Sequence, residues 1–149
     1  MLLLKNYLGV IWRMLIITEE LELETTDKVE IVEITSNINA AIAESGLRKG
    51  LVNIYSKHST SGVFINENES GLLDDFMDAI QLIVPTNGNF QHNRIDNNAD
   101  SHLRSFLIGC NETIPFEEAK MSLGTWQSVF FLEFDGPRTR HIKITIIGE

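Results

Sequence analysis

Cysteine is nearly absent from this chain: Cys110 is the only one among 149 residues. A lone cysteine excludes an intrachain disulfide and any metal site built from several thiolates, and it suits a reducing cytoplasm. Cations are scarce as well. Twelve Lys and Arg stand against 21 Asp and Glu, a formal net charge of −9. Nucleic-acid binders meet the phosphate backbone with clustered cations, so this balance argues against that class. A small anionic ligand stays open, because a metal or a few aimed donors reverse the field locally. No apolar run reaches the ~20 residues that cross a bilayer. The longest, Met1 to Ile17, is interrupted by Lys5 and Arg13. It has no basic n-region ahead of it and no clear small-residue cleavage site after it. GxGxxG, the P-loop, GxSxG and a cysteine nucleophile in its usual context are also missing, which removes the common phosphate and hydrolase motifs.

What is present reads as one globular domain, 43% hydrophobic and 22% charged. A break in phase at Met14 sets residues 1–13 apart as an N-terminal extension to a single domain over 14–149. The alternative for 1–13 is a short helix with Leu4, Leu8 and Ile11 on one stripe. Loose alternation from Leu15 to Glu24 and from Lys28 to Thr35 predicts two strands, with Thr25-Thr26-Asp27 as a hairpin turn. Thr35-Ser36-Asn37 offers helix caps, and Ile38, Ala41 and Ile42 follow at helical spacing up to Gly46. Leu51 to Lys57 and Val63 to Ile65 are strands on either side of the loop HSTSG. A helix with Leu72, Phe76, Ala79, Ile80 and Ile83 on one stripe stops at Pro85. Residues 85–97 form a long polar loop, and a short helix from about Asn98 to Ile108 ends at Gly109.

The tail predicts a strong hairpin, in which Phe130, Leu132 and Phe134 run out, DGPR turns, and Ile142, Ile144 and Ile146 return. The fold class is α+β, a mainly antiparallel sheet with two or three helices. The hairpin is apolar on both faces, since Val129, Phe131 and Ile147 occupy its other side. One small domain rarely covers both, so a compact homotrimer is expected.

The candidate chemistry gathers on three histidines. His58 closes its strand in the phase of Val52 and Ile54, His92 sits in the long loop, and His102 flanks the apolar stripe of the short helix. His141 shares a face with Lys143 and Thr145 and reads as solvated. Imidazoles from a strand end, a loop and a helix suit an open metal site, with zinc on His58, His92 and His102. Magnesium would instead prefer Asp96 or Glu67 with water. The spacings of 34 and 10 residues match no compact ligand motif. The alternative is that His58 and His102 are hydrogen-bonded core or interface residues. Ser59, Thr60, Ser61 and Gly62 offer hydroxyls and backbone donors to a phosphate, or form an ordinary polar turn. Glu67 is a candidate ligand or base. Asp96 and Asn98 stand at the rim, Asp96 or Asn97 doubling as the helix N-cap, and Asn98 with His102 at i,i+4.

Three strings carry a resemblance: HSTSGVFINEN, then FQHNRIDNNADSHLRSFLIG, then LGTWQSVFFLEFDGPRTR with a terminal GE. Together, in order and over roughly Met14 to Glu149, they resemble the signature blocks of the YjbQ-like family. The resemblance implies an α+β domain with an antiparallel barrel or sandwich, assembled as a homotrimer. It implies a site at the equivalents of His58, His92, His102 and the nearby Asn and Asp residues. Phe90 stands where an aromatic, often Tyr, precedes the loop histidine by two, so a hydroxyl is lost and the ring kept. Some members are described as secondary thiamine-phosphate synthases, which join a pyrimidine diphosphate to a thiazole phosphate and release pyrophosphate. Such a reaction ionises a carbon–oxygen bond and needs charge stabilisation on the departing diphosphate, usually from Mg²⁺ and aimed donors. Arg94, Arg104, Arg138 and Arg140 are the candidate helpers, each otherwise a surface charge. The competing reading is a non-enzymatic trimeric protein that holds a metal or an anion.

Overall fold

The computed structural model describes residues 3–5 and 11–149. Its elements, in chain order, are β1 (Leu3–Lys5), β2 (Ile11–Arg13), β3 (Leu15–Glu24), β4 (Glu30–Glu33), α1 (Thr35–Glu44), β5 (Lys49–Ser56), β6 (Ser61–Glu67), α2 (Ser70–Ile83), a 3₁₀ turn (Gln91–Arg94), α3 (Ala99–Ile108), β7 (Asn111–Glu117), β8 (Lys120–Met121), β9 (Gln127–Glu133) and β10 (Thr139–Gly148). β1 and β2 pair with each other as antiparallel strands. Where it is described, then, this stretch is not the helix considered for it, and Leu8 lies outside the described residues.

Two antiparallel sheets build the domain, one in the order β3-β10-β5-β7-β8 and the other β4-β9-β6. The α+β expectation holds. Between the sheets lies the main core, where Val52, Ile54, Val63, Val129, Phe131, Ile142, Ile144 and Ile146 meet Ile38 and Ile42 of α1. The outer face of the three-stranded sheet carries a second core, in which Phe130, Leu132 and Phe134 pack under Leu73, Phe76 and Met77 of α2. Phe64 stacks between Phe76 and Phe130, with ring centroids 5.4 and 4.9 Å away. The buried stripe of α2 therefore runs through Leu73, Phe76, Met77 and Ile80, while Leu72 and Ile83 face outward. Phe76 and Ile80 are common to both stripes, and the helix is rotated about one residue from the sequence reading.

Both expected hairpins are corrected. β9 pairs with β4 and β6, β10 pairs with β3 and β5, and the two never pair with each other. Likewise β3 and β4 lie in different sheets. These strands are joined by links that cross from sheet to sheet, as β5 and β6 are: residues 25–29 between β3 and β4, 57–60 between β5 and β6, and 134–138 between β9 and β10. They meet at one end of the sandwich and are stitched together there. Thr25 N–H donates to the Arg138 carbonyl at 3.0 Å, Gly136 N–H to the Lys28 carbonyl at 3.0 Å, and Phe134 N–H to the Thr60 carbonyl at 3.1 Å. Gly136 is required by close approach: a Cβ there would lie 2.3 Å from the Asp27 carbonyl oxygen. Period-2 alternation marks strands faithfully but is silent on which neighbour each strand takes. Because α2 and the five-stranded sheet cover β9 on its two faces, the need for a partner subunit narrows to the outer face of β10, where Ile147 lies.

β7 carries no expectation from the sequence, and Pro115 is one reason. A proline demotes a strand, yet this one sits where β7 runs beyond the short β8, so no ladder bond is lost.

Candidate functional site

The stitched end of the sandwich is also where the polar side chains collect. Its centre is buried. Glu133, with no exposed surface, accepts from Nε and an Nη of Arg140 in a side-on pair, and Arg140 extends its other contact to the Thr60 hydroxyl at 3.0 Å. Glu133 also accepts from Asp135 N–H at 2.8 Å and lies 3.2 Å from the Thr25 hydroxyl. Glu133 thus reaches two of the three sheet crossings directly and the third, at Thr60, through Arg140. A buried ion pair offsets its desolvation only when the remaining lone pairs are filled in this way.

Above this pair opens a polar cleft. Lys57, His58, Ser59 and Thr60 come from the β5–β6 link, Asp96 and Asn98 from the turn before α3, His102 from α3, Asp135 and Arg138 from the β9–β10 link, and Thr139 from the start of β10. Of the expected site residues, the fold therefore gathers His58, Ser59, Thr60, Asp96, Asn98 and His102. Asn98 Nδ2 donates to Asp96 Oδ2 at 3.3 Å and to Asp135 Oδ2 at 3.2 Å, while its Oδ1 is buried without a partner. Asp135 in turn accepts from Arg138 at 2.9 Å. Asn98 occupies the N-cap position of α3 but makes no side-chain cap. Asn93 Oδ1 takes over that role by accepting from Ala99 N–H at 3.1 Å, which frees Asp96 for the cleft.

His58 Nε2 accepts a hydrogen bond from the His141 backbone N–H at 2.9 Å, and its ring stacks with His141 at 6.3 Å between centroids. Burial, then the neighbouring Arg140 charge, pushes the His58 pKa down. A neutral imidazole is the form that accepts this bond. His141 is not simply solvated: its Nδ1 lies 3.2 Å from Glu20 Oε1 on the sheet's outer face.

His92 stands on the far side of His102. The two rings meet edge to face at 5.0 Å, and both line a second pocket, walled by Phe90, Ala99, Leu103 and Phe106. The three expected zinc ligands are therefore split, with His58 held by His141 and His92 turned toward the apolar pocket. Among the described residues, no group of three or more His, Cys, Asp or Glu side chains is gathered to hold a metal ion. With Nε2 of His58 spent on the backbone, the residues of one chain do not fit a three-histidine zinc centre.

Three further candidates lie away from the cleft. Ser61 is fully buried with its Oγ 2.6 Å from Ser56 Oγ. Gly62 packs on α3, where a Cβ would approach Ile108 to 2.7 Å. Glu67, paired with Gln127, closes the opposite end of β6, about 20 Å from Ser61 at the rise of an extended strand. The arginines divide. Arg104 is buried and donates through Nε to the Val84 carbonyl at 3.2 Å and through an Nη to Thr86 at 3.1 Å, which ties α3 to the end of α2. Arg94 is exposed, and Arg138 and Arg140 belong to the cleft. The reading of His and hydroxyl residues missed Lys57, Asp135 and Thr139. The signal available for the last group was the charged run around EFDGPRTR, which the hairpin assignment absorbed as a turn.

Comparison with other proteins agrees with this architecture. The family model described as UPF0047 protein YjbQ-like matches residues 19–149. A UPF0047 protein of Methanothermobacter thermautotrophicus is 49% identical over 132 residues, covering 89% of this chain and 92% of that one. The protein YugU of Bacillus subtilis, from the same family, is 33% identical over 86% of this chain and 97% of its own. Among solved structures, a YbjQ-like protein of unknown function from Sulfolobus solfataricus superposes with a TM-score of 0.89 at 35% identity, over 92% of this chain and all of that one. A YjbQ/UPF0047 family protein from Clostridium acetobutylicum gives 0.82 at 32% identity, over 86% of this chain and 98% of that one. No helix among the described residues is long and apolar enough to cross a membrane. On the extent of the family match and the identity of these relatives, the chain belongs to the UPF0047 YjbQ-like family.

Proposed function

We propose that the polar cleft binds a small phosphorylated molecule. The observation that carries this reading is the convergence of Lys57, Arg138 and Arg140 with the Ser59 and Thr60 hydroxyls on one opening. Each cation already has an acidic neighbour: Glu20 for Lys57, Asp135 for Arg138 and Glu133 for Arg140. The Arg140 pair is buried and fixed, whereas Lys57 and Arg138 are partly exposed and can exchange a carboxylate for a phosphate at small cost.

In its finer form the reading is a secondary thiamine-phosphate synthase activity. The pyrimidine–diphosphate carbon–oxygen bond breaks, the thiazole nitrogen forms the new bond, and Lys57 and Arg138 receive the charge that builds on the leaving pyrophosphate. His102, at the junction of the two pockets, faces the reacting carbon. Zinc and magnesium enter no step of this account. A non-enzymatic anion-binding role is the second reading, favoured by the carboxylate partner that every cleft cation already has. The experiment is to supply both phosphorylated precursors and assay thiamine phosphate, alongside calorimetric titration with pyrophosphate. Product formation lost in Lys57→Ala and Arg138→Ala supports the synthase reading. Pyrophosphate binding without product selects the second, and no binding removes both.

The assembly we propose remains a homotrimer in a reducing compartment such as the cytoplasm, joined through the outer face of the large sheet. Ile16, Ile147 and Leu51 lie in one row across β3, β10 and β5 on the outer face of the large sheet. Ile16 is 70% and Leu51 48% exposed. Light scattering that returns a monomer at micromolar concentration would contradict it.

A further inference from the structure

The three-stranded sheet has an open side. β4 is its end strand and pairs only with β9, so among the described residues no strand lies on its other edge. Antiparallel strands turn the backbone groups of alternate residues toward one neighbour. Ile34 N–H donates to the Val129 carbonyl at 2.9 Å, which fixes the phase. Glu30 and Val32 therefore bond toward β9, while Ile31 and Glu33 point N–H and C=O outward. Such a row of outward groups is a template for a further strand. Beside this edge, between β4 and α2, runs a groove of about 390 Å³. Val29, Ile31, Leu73 and Met77, which pack down onto the second core, give it an apolar floor. Glu30 and Asp74 also line it, and no Lys or Arg of the described residues does. Asp78, exposed like Asp74, follows one helical turn along the same side of α2.

Charge decides which occupant fits. A second copy pairing here by twofold symmetry sets the same acidic rim against itself, which opposes it. A basic segment meets charges of the opposite sign, and an aliphatic side chain on it fills the groove. We infer that the free edge of β4 is a docking site for an extended basic segment of another protein. The segment adds a strand to the small sheet, seats one apolar side chain against Leu73 and Met77, and sets its cations near Asp74. This surface is separate from the polar cleft and from the large-sheet face proposed for the trimer, because β4 belongs to the other sheet.

The test is amide hydrogen exchange on the full chain, titrated with the blocked hexapeptide Lys-Lys-Leu-Val-Lys-Lys. A chain with a net charge of −9 attracts any basic peptide, so the place of binding is the readout. Slower exchange is expected at the Ile31 and Glu33 amides, with no change at Val32, which already faces β9. Asp74→Lys should weaken binding about fivefold, as the loss of one ion pair does. Asp75→Lys, the same change of charge at an exposed position outside the groove, should have little effect. The counterpart peptide with glutamates in place of the lysines should not bind. Failure of the basic peptide to bind overturns the docking site, and so does binding without new protection at Ile31 and Glu33. Equal losses in the two charge variants, or equal binding of the glutamate peptide, also overturn it. Protection at these amides that rises with protein concentration alone would assign the edge to a second copy and overturn it as well.

Discussion

Arg140 meets Glu133 side-on at the stitched end of the sandwich, with Nε and one Nη each bonded to a different carboxylate oxygen, and both side chains are at least 95% buried. The pair is the point to which the β3–β4, β5–β6 and β9–β10 crossings are anchored, and it forms the floor of the cleft.

Removing one partner leaves the other buried and uncompensated. Arg140→Met is expected to destabilise the fold by about 3–5 kcal/mol, whereas Lys57→Ala, which breaks an exposed pair, should cost less than about 1 kcal/mol. Chemical denaturation of both variants checks the contrast. Equal small losses would show that the crossings do not depend on the pair.

The crossing has one steric requirement that a single methyl group tests. Gly136→Ala places a Cβ against the Asp27 carbonyl at 2.3 Å, so the β3–β4 and β9–β10 links must separate. A lower melting temperature is expected, together with lost hydrogen-exchange protection at Gly136 and Thr25. An unchanged melting temperature would mean that the links are looser than described.

His58 titrates below its ordinary value, because burial and the Arg140 charge both oppose protonation. The folded pKa is depressed, so the unfolded chain takes up the proton first as pH falls. The contribution of His58 to stability is therefore full above about 6.5, the unfolded value, and declines as pH drops through the folded value. Nuclear magnetic resonance of the ring should give a midpoint below 6.5. A midpoint above it would mean that the bond from His141 N–H to Nε2 is not kept.

Glu112 behaves in the opposite sense. Burial raises its pKa, so the folded protein holds this proton more tightly than the unfolded chain and loses stability as the carboxyl ionises. Glu112→Gln should raise the melting temperature at pH 7, with the gain shrinking toward pH 4. A gain that persists at pH 4 would point to packing instead of charge.

The elements were largely legible in the sequence because each repeats a local pattern. Ile142, Ile144 and Ile146 alternate at period 2 with His141, Lys143 and Thr145, and Ile38, Ala41 and Ile42 repeat at helical spacing. Partnering was not legible. The Asp135–Arg138 segment has the composition of a hairpin turn, and only contacts from Thr25 and Lys28, more than a hundred residues away, turn it into a sheet crossing. The site followed the same division. His58, Ser59, Thr60, Asp96, Asn98 and His102 stood out as polar residues at element ends, and the fold gathers them. Lys57 and Asp135 did not, since a charge at a strand end is usually solvated. His58 was read as the inward-facing end of its strand, but β5 stops at Ser56, so the half-buried ring sits in the crossing link, stacked on His141, with its Nε2 occupied by a backbone N–H that no spacing rule reveals.

The cleft itself is tested most directly by following backbone amide resonances of the full chain during titration with pyrophosphate. The account predicts saturable shifts at Ser59, Thr60, Asn98, His102 and Arg138, which line the cleft, and none at Glu67 on the opposite end of β6. Shifts absent from these residues, or centred on the Glu67 end, would contradict it.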